Sequence, residues 1–118
     1  EYDRHLAVLR RRYAAKAECM ASALTRHAPG AVKWRRPEGG LYFWAQLPAS
    51  VATGLKSRLF REALNRGVLY VPGELCYAED PTRPRPRHAM RLSYGQVTEA
   101  AMTEGVARLG AVCRERLR

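Results

Sequence analysis

Arg91 is the residue of this chain whose type and setting point most directly to chemistry. It lies in the stretch from Met90 to Tyr94, where apolar and polar side chains alternate as they do along a β-strand. A guanidinium on a strand has to reach an anion or water, because burying its charge unpaired costs several kcal/mol or more. Its planar fork fits a carboxylate through two parallel hydrogen bonds. The stretch alone leaves two interpretations open, a carboxylate-binding arginine and an edge-strand arginine that faces solvent.

Size and charge restrict the classes of protein to which the chain can belong. Its 118 residues predict one domain with its own core, and 47% hydrophobic and 27% charged residues are ordinary globular values. The net charge of +10 makes nucleic-acid binding a candidate function. The basic residues are scattered, however, and no zinc finger, RNP-type aromatic motif or GxxG clamp accompanies them. We therefore expect no nucleic-acid partner, since a domain cut from a protein with an acidic second domain would be equally basic.

The cysteines and the hydropathy pattern argue for a cytoplasmic protein. Cys19, Cys76 and Cys113 share no metal-ligand or redox spacing, so we expect reduced thiols and no metal site. No apolar run approaches the roughly 18 residues that suggest a membrane span, and we expect no membrane partner. The chain lacks an initiator methionine, which leads us to expect that it begins inside a longer protein.

Apolar residues at helical spacing predict a long helix near each end of the chain. The first runs from about Asp3, its expected N-cap, to His27. The last begins after Thr98, which is expected to cap it. Their buried stripes are Leu6, Leu9, Tyr13, Ala17, Met20 and Leu24 in the first, and Met102, Val106, Leu109, Cys113 and Leu117 in the last.

A third helix and four short strands are predicted between them. The helix opens at Thr53 or Gly54 and ends at Gly67, and its inner side is expected to carry Leu55, Leu59, Phe60, Ala63 and Leu64. The strands are 31–34, 41–47, 68–71 and the Arg91 stretch, and the aromatic run at 42–44 predicts that the second strand is buried on both faces. The order α-β-β-α-β-β-α predicts an α/β or α+β sandwich of two layers. In it a small sheet of three or four strands packs against helices.

Four motifs in this order resemble a known domain. They are residues 2–13, the stretch from Pro37 to Trp44, the stretch from Gly67 to Gly73, and the stretch from Met90 to Tyr94. Together they closely resemble the C-terminal small domain of class I/II aminotransferases, the fold-type I enzymes that use pyridoxal phosphate. Within that family they are most similar to the branch of 2-aminoadipate aminotransferases and the aminotransferase-like half of MocR regulators. The resemblance extends from Tyr2 to about Arg114.

The resemblance implies a substrate site in this chain. In the family, the arginine at the place of Arg91 grips the α-carboxylate of the amino-acid substrate, and Gly40 and Tyr42 would lie near the active-site mouth as further substrate-binding residues. The parent enzyme would transfer an amino group from an amino acid to a 2-oxo acid, and would be a cytoplasmic homodimer. The alternative that the resemblance leaves open is the effector domain of a MocR/GntR-type transcription regulator.

The resemblance also implies what this chain lacks. Pyridoxal phosphate chemistry needs a Schiff-base lysine and an acidic partner for the pyridine nitrogen, and in the family both belong to the large domain. The three lysines, Lys16, Lys33 and Lys56, do not lie in the family's lysine motif. We therefore expect residues 1–118 to be a single small domain whose large cofactor-binding domain is absent. Alone, the chain is expected to bind no cofactor and to be catalytically inactive.

Overall fold

A four-stranded antiparallel sheet with three helices against one face forms this fold. The computed structural model describes residues 1–36, 42–76, 82, 85–93 and 98–117. The elements in chain order are helix α1 (Tyr2–His27), strands β1 (Lys33–Arg35) and β2 (Tyr42–Gln46), helix α2 (Arg58–Asn65), strand β3 (Val71–Pro72), a 3-10 turn (Gly73–Cys76), strand β4 (Ala89–Ser93) and helix α3 (Glu99–Arg116). The predicted α+β class and its two layers are confirmed.

The sheet has the strand order β1-β2-β4-β3, with every neighbouring pair antiparallel. Phe43 and Ala45 of β2 and Met90 and Leu92 of β4 point to the helices and are buried in one core with them. Because side chains alternate along a strand, the residues between them lie on the opposite face. We call this second face the open face, since none of the three helices covers it.

The open face contradicts one sequence-based prediction. The aromatic run of β2 was expected to be buried on both sides, yet Tyr42 is 41% exposed, Gln46 is exposed and Trp44 is only half-buried. The strand is central, as predicted, because β1 and β4 flank it. All three helices nevertheless pack on the face of Phe43, so a central strand here has a single buried face.

Helices α1 and α3 pack side by side in the same direction. Cys19 Sγ lies 3.6 Å from Thr103 Oγ1, and eight residues further along α1 the His27 carbonyl oxygen accepts a hydrogen bond from Arg114 at 2.5 Å. The predicted cap of α3 is confirmed, because the Thr98 side chain accepts from the backbone N–H of Ala101 at 3.1 Å. The predicted N-cap of α1 is wrong: the helix begins at Tyr2 after Glu1, which makes no side-chain cap bond.

Helix α2 is shorter than predicted. It begins at Arg58, where Ser57 caps the backbone N–H of Phe60 at 3.1 Å, so the expected inward side chains of Leu55 and Leu64 are instead 56% and 51% exposed. The predicted stop at Gly67 is confirmed, because this glycine has a φ of 77° that favours glycine at the end of a helix.

Thr53, expected to open α2, is a buried residue that ties the α2 segment to β4. Its hydroxyl donates to the Ala89 carbonyl at 2.6 Å and lies 3.1 Å from the Arg87 carbonyl oxygen. Tyr70 donates its phenolic O–H to the Thr53 carbonyl at 2.8 Å, and burial raises the pKa of this phenol. Of the helices in the described ranges, none combines the length and the apolar character that crossing a membrane requires.

Candidate functional site

The open face of the sheet gathers the polar and aromatic residues of the candidate site. Strand alternation and register place nine side chains on it: Lys33, Arg35, Tyr42, Trp44, Gln46, Val71, Ala89, Arg91 and Ser93. Across the sheet, Arg35 is paired with Trp44, and Trp44 with Arg91. The sequence folds this way locally because Phe43, Ala45, Met90 and Leu92 are apolar and occupy the core face, which fixes the register of the side chains between them.

Arg91 lies near the middle of this face. In the register it is flanked by Trp44 on β2 and Val71 on β3, and its side chain is half-buried. The Arg91 guanidinium carbon lies 5.1 Å from the centre of the Tyr42 ring, within the range of a cation–π contact. Its Nε is buried and, among the described residues, has no hydrogen-bond partner. Arg91 is therefore neither a solvated edge residue nor a paired structural arginine within the described chain.

Electrostatics on the open face favour an anion. Three of its nine positions are cationic, Lys33, Arg35 and Arg91, and none of those positions is acidic. The Lys33 ammonium is turned back along the chain, where it donates to the Gly30 carbonyl at 3.2 Å. A partly buried guanidinium in a field of one sign attracts a carboxylate or another small anion more strongly than one in open water.

A tight turn packs against Trp44 and Ala89, which lie near Arg91 on the open face. Gly73 opens the 3-10 turn, and a Cβ atom at this position would lie 2.8 Å from the Ala89 Cβ and 2.9 Å from Trp44 Cη2. Only glycine allows the backbone to come so close. The turn therefore packs closely on Trp44 and on Ala89 of β4. Among the described residues, the ring found in cation–π contact with the Arg91 guanidinium is that of Tyr42.

Two of the three predicted site residues lie together. Arg91 and Tyr42 were predicted as separate positions, and the β2–β4 register brings them into contact. Gly40 lies outside the described residues. Trp44 and Gly73 were not predicted as parts of this site. The signal for Trp44 was present in the alternation of β2, which places it on the face of Tyr42, but the pairing of β2 with β4 was needed to place both beside Arg91.

Two features of a cofactor or metal site, a lysine amine beside Arg91 and a cluster of metal ligands, are not found among the described residues. Lys33 is engaged by Gly30, Lys16 lies on α1, and Lys56 is exposed just before α2, so none of these amines projects from the open face beside Arg91. Within the described ranges, no cluster of three or more His, Cys, Asp or Glu side chains could hold a metal ion. The arrangement is suited to binding and orienting an anionic group.

Comparison with known proteins shows which proteins this chain resembles. The aromatic-amino-acid aminotransferase 1 of Thermococcus litoralis is 34% identical over 116 residues, which is 98% of this chain and 26% of the relative. The solved structure of LysN, the alpha-aminoadipate aminotransferase of Thermus thermophilus, matches with a TM-score of 0.86 and 34% identity, over 98% of this chain and 28% of its own. The predicted resemblance to pyridoxal-phosphate-dependent aminotransferases is thus confirmed in sequence and in fold.

The comparisons also show how much of those proteins this chain represents. The chain spans about a quarter of the length of the aminotransferases that it matches, 26% and 28% in the two cases above. An HTH-type transcriptional regulator, TauR of Rhodobacter capsulatus, is 34% identical over 96% of this chain and 22% of the regulator. No protein-family model matches the chain.

Proposed function

We propose that this chain is the C-terminal small domain of a pyridoxal-phosphate-dependent aminotransferase, and that the full-length protein transfers an amino group from an amino acid to a 2-oxo acid. The observation that carries the proposal is the agreement with LysN over 98% of the chain, in sequence and in fold together. LysN was crystallised with N-(5'-phosphopyridoxyl)-L-leucine, which joins the cofactor to an amino acid. We propose that the full-length protein containing this chain binds the same two classes of ligand, the cofactor and an amino acid.

In this proposal the chain supplies binding and orientation. When bound in the full-length protein, the cofactor supplies the electron-withdrawing chemistry. Arg91 binds the α-carboxylate through its terminal nitrogens, and the rigid β2–β4 pair fixes the direction of that carboxylate. Holding the carboxylate in this way restricts the orientation of the groups bonded to Cα. This positioning contributes to the reaction rate. The Tyr42 ring on one side of the guanidinium limits the access of water to the ion pair.

The remaining parts of the machinery lie outside this chain. We propose that a large domain contributes the Schiff-base lysine and the phosphate site. The Lys33 amine is bound to the Gly30 carbonyl, Lys16 lies on α1, and Lys56 is exposed ahead of α2. We further propose that the parent is a cytoplasmic homodimer without a nucleic-acid partner.

Replacing Arg91 with lysine in the full-length protein tests the proposal. Lysine keeps the charge and loses the planar fork. Charge-assisted hydrogen bonds are worth about 1.5–3 kcal/mol each, so kcat/KM for an amino acid should fall roughly ten- to a few-hundred-fold. Amines that lack a carboxylate should be affected far less, and occupancy by the cofactor should hardly change.

Arg35 provides the matched control for this experiment. It lies on the same open face, two strands away from Arg91, and it is exposed. Arg35→Lys should leave both substrate types close to wild type. Equal slowing of amino acids and amines by Arg91→Lys would refute the role of this residue in binding the carboxylate.

A second function is favoured by one specific observation. TauR, a transcriptional regulator, matches this chain at an identity equal to that of the aminotransferases. If the parent is such a regulator, this chain belongs to its effector domain and Arg91 binds a carboxylate ligand without turnover. Sequencing the gene upstream of Glu1 separates the two functions, because a regulator would encode a DNA-binding domain ahead of the large domain. Measured transamination by a protein without such a domain would exclude the regulator.

A further inference from the structure

We infer that Tyr42 is a positioning residue that acts through Arg91, and that its aromatic ring, and not its hydroxyl, carries the effect. This inference rests on the proposed function, since it assumes that Arg91 binds the substrate carboxylate. It replaces the expectation that Tyr42 itself contacts the substrate. The reasons lie in the geometry of the guanidinium, in the register of β2 with β4, and in the exposure of the tyrosine.

The first reason is that the guanidinium lacks polar support from the described part of this chain. Among the described residues no side chain or carbonyl accepts a hydrogen bond from Arg91, and its Nε is buried without a partner. An arginine side chain has four rotatable bonds before the guanidinium, and holding it in one geometry costs side-chain entropy. Some contact must offset that cost if the fork is to be ready for a substrate. The Tyr42 ring, at 5.1 Å from the guanidinium carbon, is the contact that the structure provides.

The second reason is the direction from which a carboxylate can approach the guanidinium of Arg91. Of the three guanidinium nitrogens only Nε is both buried and unpaired among the described residues. We therefore assign the contact with a substrate to the two terminal nitrogens. The Tyr42 ring lies against the guanidinium, and Trp44 and Val71 flank Arg91 in the register of the sheet. A carboxylate can then approach end-on, where it meets both terminal nitrogens in the plane of the fork. The aromatic contact thus selects the approach that gives two parallel hydrogen bonds.

The third reason is that Tyr42 is placed to support Arg91 without being a part of the core. In the register Tyr42 lies opposite Ser93, one side-chain step along the open face from the Trp44–Arg91 pair. The residue is 41% exposed, so its removal leaves the packed face of the sheet intact. The sheet position, set by the buried Phe43 and Ala45, holds the ring over the guanidinium. Tyr42 therefore tunes how strongly a carboxylate is preferred over other substituents.

The test uses two substitutions in the full-length protein. Tyr42→Phe keeps the ring and removes the hydroxyl, whereas Tyr42→Leu keeps apolar volume and removes the π face. We expect Tyr42→Leu to raise KM for an L-amino acid about two- to fivefold, with little change in kcat, and to leave the amine that lacks the carboxylate unaffected. Tyr42→Phe should stay within about twofold of wild type for both substrates. Tyr2→Leu is the matched control, since Tyr2 is 77% exposed on α1 and far along the chain from the site.

A double substitution separates failure of this inference from failure of the proposed function. In an Arg91→Lys background, Tyr42→Leu should have a markedly smaller effect on the amino-acid preference than in the wild type, because the residue acts through the guanidinium. A loss with Tyr42→Phe as large as with Tyr42→Leu would overturn the inference in favour of a hydroxyl contact with substrate. The inference would also be overturned if Tyr42→Leu left KM unchanged while Arg91→Lys still slowed amino acids more than amines. That result would leave the role of Arg91 intact. If Arg91→Lys slows amino acids and amines equally, the proposed role of Arg91 in binding the carboxylate fails, and this inference fails with it.

Discussion

The close crossing of α1 and α3 permits a sharp test of how this domain is packed, because α3 contains two glycines in very different surroundings. A Cβ added at Gly105 would have no heavy atom within 4 Å, whereas one added at Gly110 would fall on the His27 carbonyl oxygen and lie 3.0 Å from the His27 carbonyl carbon. Gly110 is buried, and the obstructing atoms belong to the backbone of α1, which cannot rotate away as a side chain could. Gly105→Ala and Gly110→Ala are therefore the same chemical change made once in open space and once at a helix contact.

The expected magnitudes have opposite signs. Replacing an interior helix glycine with alanine gains about 0.5–1 kcal/mol from lower backbone entropy and better propensity, and Gly105→Ala should be stabilised by that amount. Gly110→Ala makes the same gain, but overpacking a well-filled contact costs about 1–3 kcal/mol, and the clash with backbone places the cost toward the upper end. We expect a net loss of about 1–2 kcal/mol, partly because α1 must move away and strain the Arg114 bond to the His27 carbonyl.

Urea unfolding of the chain, followed by far-UV circular dichroism and by tryptophan fluorescence, measures both effects. The two probes should give coincident transitions in each variant, and the m-values should equal that of the wild type, so that midpoint shifts can be compared as stability changes. The reasoning would be refuted if both variants shifted the midpoint in the same direction, since that would mean that α1 does not approach Gly110 as closely as the structure has it.

Two further predictions concern buried polar groups. Thr53→Val should lower the free energy of unfolding by about 1–3 kcal/mol, because it removes the hydroxyl that donates to the Ala89 carbonyl. Thr53→Ser keeps that donor and should lower the free energy of unfolding by less. Equal losses in the two variants would contradict the role of the hydroxyl. Burial raises the pKa of the Cys113 thiol to about 11, so its contribution to stability is present below about pH 8.5, where an unfolded thiol ionises, and is lost as the pH rises toward 11. At pH 8 a disulfide reagent should therefore modify the exposed Cys76 quickly and Cys113 only on unfolding, and rapid modification of Cys113 in the native protein would show that this thiol is not buried.

The parts of the fold that sequence predicted well are those set by local periodicity. The stripe from Met102 to Cys113 identified the buried side of α3, and Gly67 marked the end of α2, because a helical repeat and a positive φ leave their signature in neighbouring residues. Helix α2 was overextended, since Leu55 has helical spacing but lies before the Ser57 cap. Over only two turns, spacing alone cannot separate the helix from its flanks.

The candidate site was predictable as a set of residues and not as an arrangement. Arg91 was identified because a charge in an apolar strand needs a partner, and Tyr42 because of the motif that contains it. Their contact depends on which strands pair and in which register, and that information is spread over residues about fifty positions apart. The single buried face of β2 was missed for a similar reason. An aromatic strand indicates burial, but the number of layers that cover it is a property of the whole chain.

The pairing of the first helix with the last also determines how the domain comes into being. Contacts such as Cys19 with Thr103 and His27 with Arg114 join residues 84 and 87 positions apart, and β4 takes its place between β2 and β3 only after both have been made. Such long loops must close before these contacts can stabilise the chain, so we expect slow and cooperative folding. During synthesis the side of α1 that packs on α3 stays exposed until the residues of α3 leave the ribosome. We therefore expect the core to form only after the synthesis of α3, and Arg91 on β4 to reach its final surroundings together with the core beneath it.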